Sequence, residues 1–253
     1  AKETYLPKLA AGELISAYTD GHNLFSTDED VLNGAIRDVV YAMQADVLLV
    51  SLKHGADRAL YAVPQGTNGV TITAVKTMDP TRCFADVAFK GVKLSDLKKL
   101  GEGNASAVDG VVNASFIGLA AECVGGAQKC LDMTLEYAAQ RVQFGRPIAS
   151  FQAIKHRCAD MYVMLEAARS ATYAAALAQG DEKVEAALIA KAYASEAFFK
   201  IAGDAIQLHG GIGFTWEYPL HYFFKRARAN KSAFGSSSNA YAALADQLFG
   251  DAA

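Results

Sequence analysis

RVQFGRPIASFQ (141–152) and QLHGGIGFTWEYP (207–219) decide the reading of this chain. The first stretch ends one long helical pattern and begins another. The second ends a third helix on a glycine pair, where the backbone can turn tightly and lie bare against a ligand. An arginine placed among glycines and helix ends has the chemistry to hold phosphate groups.

On both sides of Arg141 the hydrophobic period is helical. Ala120, Val124, Ala127, Leu131, Leu135 and Ala138 share one face. A second helix is expected over about 151–179, stopped by Gly180. A third runs from Glu182 to His209 with the stripe Ala190, Tyr193, Ala197, Ile201, Ala205 and Leu208. A shorter helix follows Pro219, and a last one covers about 237–249. The alanine-rich faces permit close antiparallel packing.

Before residue 100 the pattern is that of strands and turns. DVLLVSL (46–52), RALYAVP (58–64), GVTITAVKTM (69–78) and FADVAFKGVKL (84–94) are rich in β-formers, separated by HGADR, QGTNG and MDPTR. No helix-length crossover separates them, which predicts antiparallel pairing. AKETYLPKLAAGE at the start reads as the end of a helix. The fold class is α+β: a small antiparallel β-domain over 1–103, then a C-terminal four-helix-bundle domain over 104–253. The boundary is expected near GEGNASA, 101–107.

Hydrophobic residues make up 52% and charged residues 20% of the 253, so the chain can bury a sizeable core. A net charge of −3 without a basic patch argues against a nucleic-acid partner. Cys83, Cys123, Cys130 and Cys158 form no CxxC pair and read as free buried thiols of a reducing, cytoplasmic compartment. No apolar run of membrane-spanning length and no signal peptide is read, so no membrane partner is expected.

YAAQRVQFGRPIASFQAIKHRCADM (137–161) and KAYASEAFFKIAGDAIQLHGGIGFTWEYPLHYFFKRARA (191–229) resemble the acyl-CoA dehydrogenase family. YLPKLAAGE (5–13) and FADVAFKGVKL (84–94) resemble it more loosely. That family binds FAD at a subunit interface, and the resemblance implies roles for particular residues. Arg141 is expected at the FAD pyrophosphate of a neighbouring subunit, flanked by Gln143 and Phe144. Gln207, Gly210 and Gly211 are expected at the adenosine end. Ser236 and Ser238, in FGSSS (234–238), occupy the places of the family's cofactor turn.

Each residue has a plainer reading. Arg141 also suits a helix-end arginine stabilised by the dipole. His209 reads as a packed or capping histidine rather than a base, and His156 and His221 as helix-surface residues. Trp216, Phe223 and Phe224 read as core or interface aromatics. Lys225, Arg226 and Arg228 read as a solvated basic face, with contact to a partner or to CoA phosphates as the other option.

The family's dehydrogenation needs a carboxylate to take the α-proton while the β-hydride leaves to flavin. At the two places where the family carries that base, this chain has Phe234 and Ser115, with Phe116 beside the latter. Glu122 lies two turns further along and is poorly placed to replace it. Of the family's threonine-glutamate-proline turn only Thr19 and Asp20 remain, followed by GHNLFSTDED. Asp38 and Val40 stand where an aromatic and a threonine cover the flavin. The usual N-terminal helical domain is not seen, so covered apolar surface is expected to be free for a partner.

The resemblance therefore implies a non-catalytic subunit in fatty acid or steroid degradation. It would share FAD with a catalytic acyl-CoA dehydrogenase subunit and meet acyl-CoA through the complex, as in heteromeric enzymes of actinobacteria. A hetero-oligomer or a homo-oligomer of dimers is expected. The alternatives are a flavin-free binding or scaffold protein and an enzyme with an unconventional base.

Overall fold

A computed structural model describes residues 2–21, 24–26, 30–54, 57–100, 105–180 and 182–250. The loop expectations for GHNLFSTDED, HGADR and GEGNASA fall partly outside these residues.

The chain forms two compact units that divide between Val111 and Val112. The first unit opens with α1 (Lys2–Ala10), followed by β1 (Ser16–Asp20), β2 (Phe25–Ser26), β3 (Val31–Val40), β4 (Val47–His54), β5 (Asp57–Pro64), β6 (Val70–Val75), β7 (Phe84–Lys93) and β8 (Lys98–Leu100). These strands make two four-stranded sheets, in the orders β1-β4-β5-β8 and β2-β3-β7-β6. Side chains alternate along the strands, and one face of each sheet supplies the shared core, which includes Leu32, Ile36, Leu48, Val50, Val63, Val87 and Phe89.

The expectation of purely antiparallel pairing needs correction, because β1 and β4 run parallel with Ser16 opposite Val47. The hairpin rule applied only to strands joined by short turns. β1 and β4 are joined through β2 and β3, long enough a connection to bring the chain back in the same direction.

The second unit is helical. It contains most of α2 (Ala105–Gln140), then the two-residue strands β9 (Val142–Gln143) and β10 (Arg146–Pro147), α3 (Gln152–Leu177), α4 (Glu182–His209), α5 (Leu220–Ser232) and α6 (Ser237–Phe249). Helices α2 to α5 share one core built on Cys123, Ala127, Leu131, Met161, Leu165, Phe198, Ile201 and Leu220. α6 joins α4 through a second cluster of Leu188, Ala192, Ala240 and Leu244. Small residues set the spacing. A Cβ on Gly126 of α2 would lie 2.4 Å from the buried ring of Phe198 on α4.

Two sequence expectations about α2 change. Leu135 is exposed, and Cys123, Cys130 and Thr134 take places in the buried face beside Ala127 and Leu131. The segment Val108–Gln140 also reaches the length and apolarity of a membrane-crossing helix, with a mean hydropathy of 1.3. Its valines and leucines are interrupted by Asp109, Asn113, Glu122, Lys129, Asp132 and Glu136, so the sequence shows no unbroken apolar run there. In the bundle, part of that surface packs against the other helices.

All four cysteines are free. Cys123 and Cys130 are buried as expected, Cys158 is half-buried and Cys83 is exposed. Burial pushes the Cys130 thiol up to about 12, which makes it a packing group rather than a nucleophile.

Candidate functional site

The implied cofactor residues fall in two places. At one end of the bundle, the ring of Tyr137 stacks on that of His209 at 4.3 Å and ties the end of α2 to the end of α4. Arg141 follows α2, its backbone N–H donating to the Tyr137 carbonyl at 2.8 Å. Gly210 follows α4 directly, with φ +62, the left-handed glycine that ends a helix. Arg141, Gln143, Phe144, Gln207, Gly210 and Gly211 are all exposed there.

The hairpin β9–β10 turns on Phe144 (φ 53) and Gly145 (φ 77), the doubly left-handed geometry of a tight hairpin. For phenylalanine that backbone costs roughly 1–2 kcal/mol. The side chain is nonetheless 91% exposed. Within the chain it meets the Phe151 ring edge to face at 6.1 Å, and most of its surface stays open. Arg146 lies with its guanidinium carbon 4.2 Å from the Phe151 ring centre and steadies the hairpin. Among the described residues, no side chain is seen to pair with the guanidinium of Arg141.

A Cβ on Gly210 or on Gly211 would meet nothing within 4 Å, so the backbone is open to a ligand there. An exposed guanidinium beside a bare glycine backbone fits the pyrophosphate of FAD. Gly213, which the sequence reading passed over, has a packing role: a Cβ there would lie 2.6 Å from the Ile206 carbonyl.

His209 is buried and acts as a structural pin. Its Nδ1–H donates to the Ala205 carbonyl at 2.7 Å, and its Nε2 accepts from the Tyr218 hydroxyl at 3.1 Å. Burial lowers its pKa against the opposing pull of backbone hydrogen bonds. His156 is exposed and meets Gln152 at 2.7 Å. His221 departs from the surface reading. It is only 8% exposed, and its Nδ1 lies 3.4 Å from the Lys225 ammonium, which in turn covers the exposed Trp216 ring at 4.4 Å. Phe223 and Phe224 pack against the helical core.

The second place is the α5–α6 turn. Ser236 caps α6 by accepting from the Asn239 N–H at 3.2 Å, and Asn239 returns the bond to the Ser236 backbone. Ser238 lies exposed on the first turn of α6. Ser237, which the sequence reading did not single out, is the serine packed against α4. This turn touches α4 at Lys191, and about 28 Å of helix separates Lys191 from Gly210 at 1.5 Å per residue. Ser236 and Ser238 are thus not brought together with Arg141 and the glycine pair.

Neither Phe234 nor Ser115, the residues that the resemblance sets at the base positions, is a carboxylate. Phe234 meets Phe116 edge to face with centroids 6.4 Å apart, and Ser115 is half-buried on α2. Glu122 is held by Arg226 at 2.8 Å and by Asn230 at 3.1 Å, so the basic run is in part an internal tie between α2 and α5.

In the first unit, Thr19 is buried and Asp20 half-buried on β1. Asp38 has φ 56 and its N–H donates to Asp86 Oδ1 at 3.1 Å. Asp38 is exposed, and a carboxylate at the residue that the resemblance sets over the flavin does not fit the isoalloxazine ring. The residues present therefore fit the phosphate end of FAD and not its ring end.

The chain matches the family model for the acyl-CoA dehydrogenase C-terminal domain over residues 101–249. It is 38% identical over 225 residues to acyl-CoA dehydrogenase IpdE2 of Mycobacterium tuberculosis, covering 89% of this chain and 60% of that protein. It is 34% identical over 223 residues to the IpdE2 of Mycolicibacterium smegmatis, covering 87% and 62%. Butyryl-CoA dehydrogenase from Megasphaera elsdenii shares the fold with a TM-score of 0.86 and 26% identity, over 98% of this chain and 71% of that one. The chain belongs to the acyl-CoA dehydrogenase family. It spans about three fifths of the length of the IpdE2 relatives.

Proposed function

We propose that this chain is the non-catalytic partner in a heteromeric, FAD-dependent acyl-CoA dehydrogenase. The observation that carries the reading is a contrast within one unit. The Arg141 hairpin and the Gly210–Gly211 backbone are open and suited to a pyrophosphate. The base positions hold Phe234 and Ser115.

In this reading Arg141 and Gln143 hold phosphate oxygens of FAD, Phe144 packs beside them, and Gln207 and the glycine pair approach the adenosine end. A catalytic subunit supplies the carboxylate that removes the α-proton and the surface that covers the ring. Bound there, FAD would supply the acceptor for the hydride that leaves the β-carbon as the α-proton passes to the catalytic subunit's carboxylate. The setting is cytoplasmic degradation of a fatty acyl or steroid-derived CoA thioester, and the 38% identity to an acyl-CoA dehydrogenase supports chemistry on a CoA thioester.

Purified alone, the chain should oxidise no acyl-CoA. Co-expressed with a catalytic acyl-CoA dehydrogenase subunit, it should co-purify with yellow flavin and turn over. Turnover by the lone chain would overturn the proposal. The carboxylate at Asp38 favours a second reading, a flavin-free scaffold of the same family. Absence of the flavin band from every co-purified complex would select it.

A further inference from the structure

The α5–α6 turn joins two left-handed residues, Phe234 at φ 53 and Gly235 at φ 91. A phenylalanine holds such a backbone only where its surroundings over-determine it. Helix α4 supplies that hold from beneath with Lys191, Ser195 and Glu196. Lys191 is 1% exposed, and its ammonium donates to the Gly235 carbonyl. Ser195 is fully buried with its Oγ 3.5 Å from that of Ser237. Glu196 accepts from Lys231 at 2.8 Å and from the Ser237 hydroxyl, so it grips the last turn of α5 and the first of α6 together.

A buried ammonium is the costly choice in this place. Methionine has similar length and would fill the space without desolvation. The charge contributes something that packing alone does not, and its hydrogen bond goes to the Gly235 carbonyl. Burial pushes the Lys191 ammonium down from its ordinary range, while Cys123 and Glu196 pull it back up. Glu196 is held below the ordinary carboxylate range: burial alone would raise it, and the bonds from Lys231 and Ser237 with the charges of Lys231 and Lys191 outweigh that.

We propose that Lys191 is a positioning residue which, with Glu196, clamps the α5–α6 turn so that the Gly235–Ser236 backbone keeps a fixed shape on the cofactor side. The importance of that shape for flavin rests on the function proposed above, whereas the clamp itself does not. Neither residue touches a ligand in this scheme.

Hydrogen exchange on the full chain tests the clamp. Losing one charge-assisted bond in Lys191→Met should speed amide exchange across 234–239 by about tenfold. Exchange in 200–209 of the same helix should stay within about twofold, which a general loss of packing would not allow. Unchanged exchange at the turn in a folded Lys191→Met overturns the proposal. Where Lys191→Met does not fold, Glu196→Gln decides: it keeps the volume, and should speed the turn by roughly threefold or the clamp is wrong.

Flavin content of the co-purified complex then separates the two ideas. A loosened turn in Lys191→Met with flavin unaffected by Arg141→Ala leaves the clamp standing and removes the flavin reading. Flavin lost in Arg141→Ala with a turn unaltered in Lys191→Met removes the clamp and leaves the reading.

Discussion

The ring of Phe234 packs edge to face on that of Phe116 at 6.4 Å, which joins the α5–α6 turn to α2. Such a pair is worth about 0.5–1.5 kcal/mol beyond its buried area. Phe234→Glu should thus cost about 1 kcal/mol in urea denaturation. Under the proposed function it should not create an acyl-CoA dehydrogenase, because the resemblance sets Asp38 where the flavin ring would stack. Turnover by the lone Phe234→Glu chain would show that Asp38 does not exclude the ring.

Two adjacent glycines of α2 should respond in opposite directions to the same methyl. Gly125 meets nothing within 4 Å, and a Cβ on Gly126 would lie 2.4 Å from Phe198. Gly125→Ala should stabilise by roughly 0.5–1 kcal/mol through helix propensity. Gly126→Ala should destabilise by about 1–3 kcal/mol, because the buried Phe198 ring has no free volume to move into. Denaturant midpoints of the two variants check the pair, and equal shifts would mean that α2 and α4 are not packed at this spacing.

The two glycines also show what the sequence carries and what it does not. The helical period around Ala127 and Leu131 is written in the spacing, as is the end of α4, because Gly210 lacks the Cβ that makes φ +62 costly. Which neighbour presses on Gly126 depends on residue 198, far along the chain, and no local pattern records it. The parallel pairing of β1 with β4 was hidden for the same reason. At the phosphate end, Arg141 and Gly210 were legible because a short motif carries them. Lys191 was not, since one lysine in the run AALIAKAYASEAFF looks like an exposed helix residue. Only the fold shows that its ammonium points inward at the Gly235 carbonyl.

Stability should fall with acid through His209. Burial lowers its pKa in the folded chain from the ordinary 6.5. The unfolded chain then binds the proton more readily than the folded one, so the contribution is complete above 6.5 and is lost as pH drops below it. The groups around the ring include the Ala205 and Met133 backbone, the Tyr218 hydroxyl and the Tyr137 ring, none of them a carboxylate that would rescue the cation. Thermal melts should show a steeper acid loss for the native chain than for His209→Asn. Parallel pH profiles would place the acid-sensitive group elsewhere.

The two arginines of the β9–β10 hairpin should separate binding from folding. Arg146 lies over the Phe151 ring at 4.2 Å, and removing it should cost about 0.5–1 kcal/mol of stability by loosening the hairpin. Arg141 is exposed, and Arg141→Ala should change stability by less than about 0.5 kcal/mol. Its effect should instead appear in the flavin retained by the complex, because a guanidinium that holds two phosphate oxygens is not replaced by water. Arg141→Lys should restore part of that retention, since the charge returns without the planar fork. Melting curves and flavin absorbance on the same three variants read both quantities. Flavin retention that follows stability, rather than the identity of residue 141, would make Arg141 an ordinary helix-end arginine.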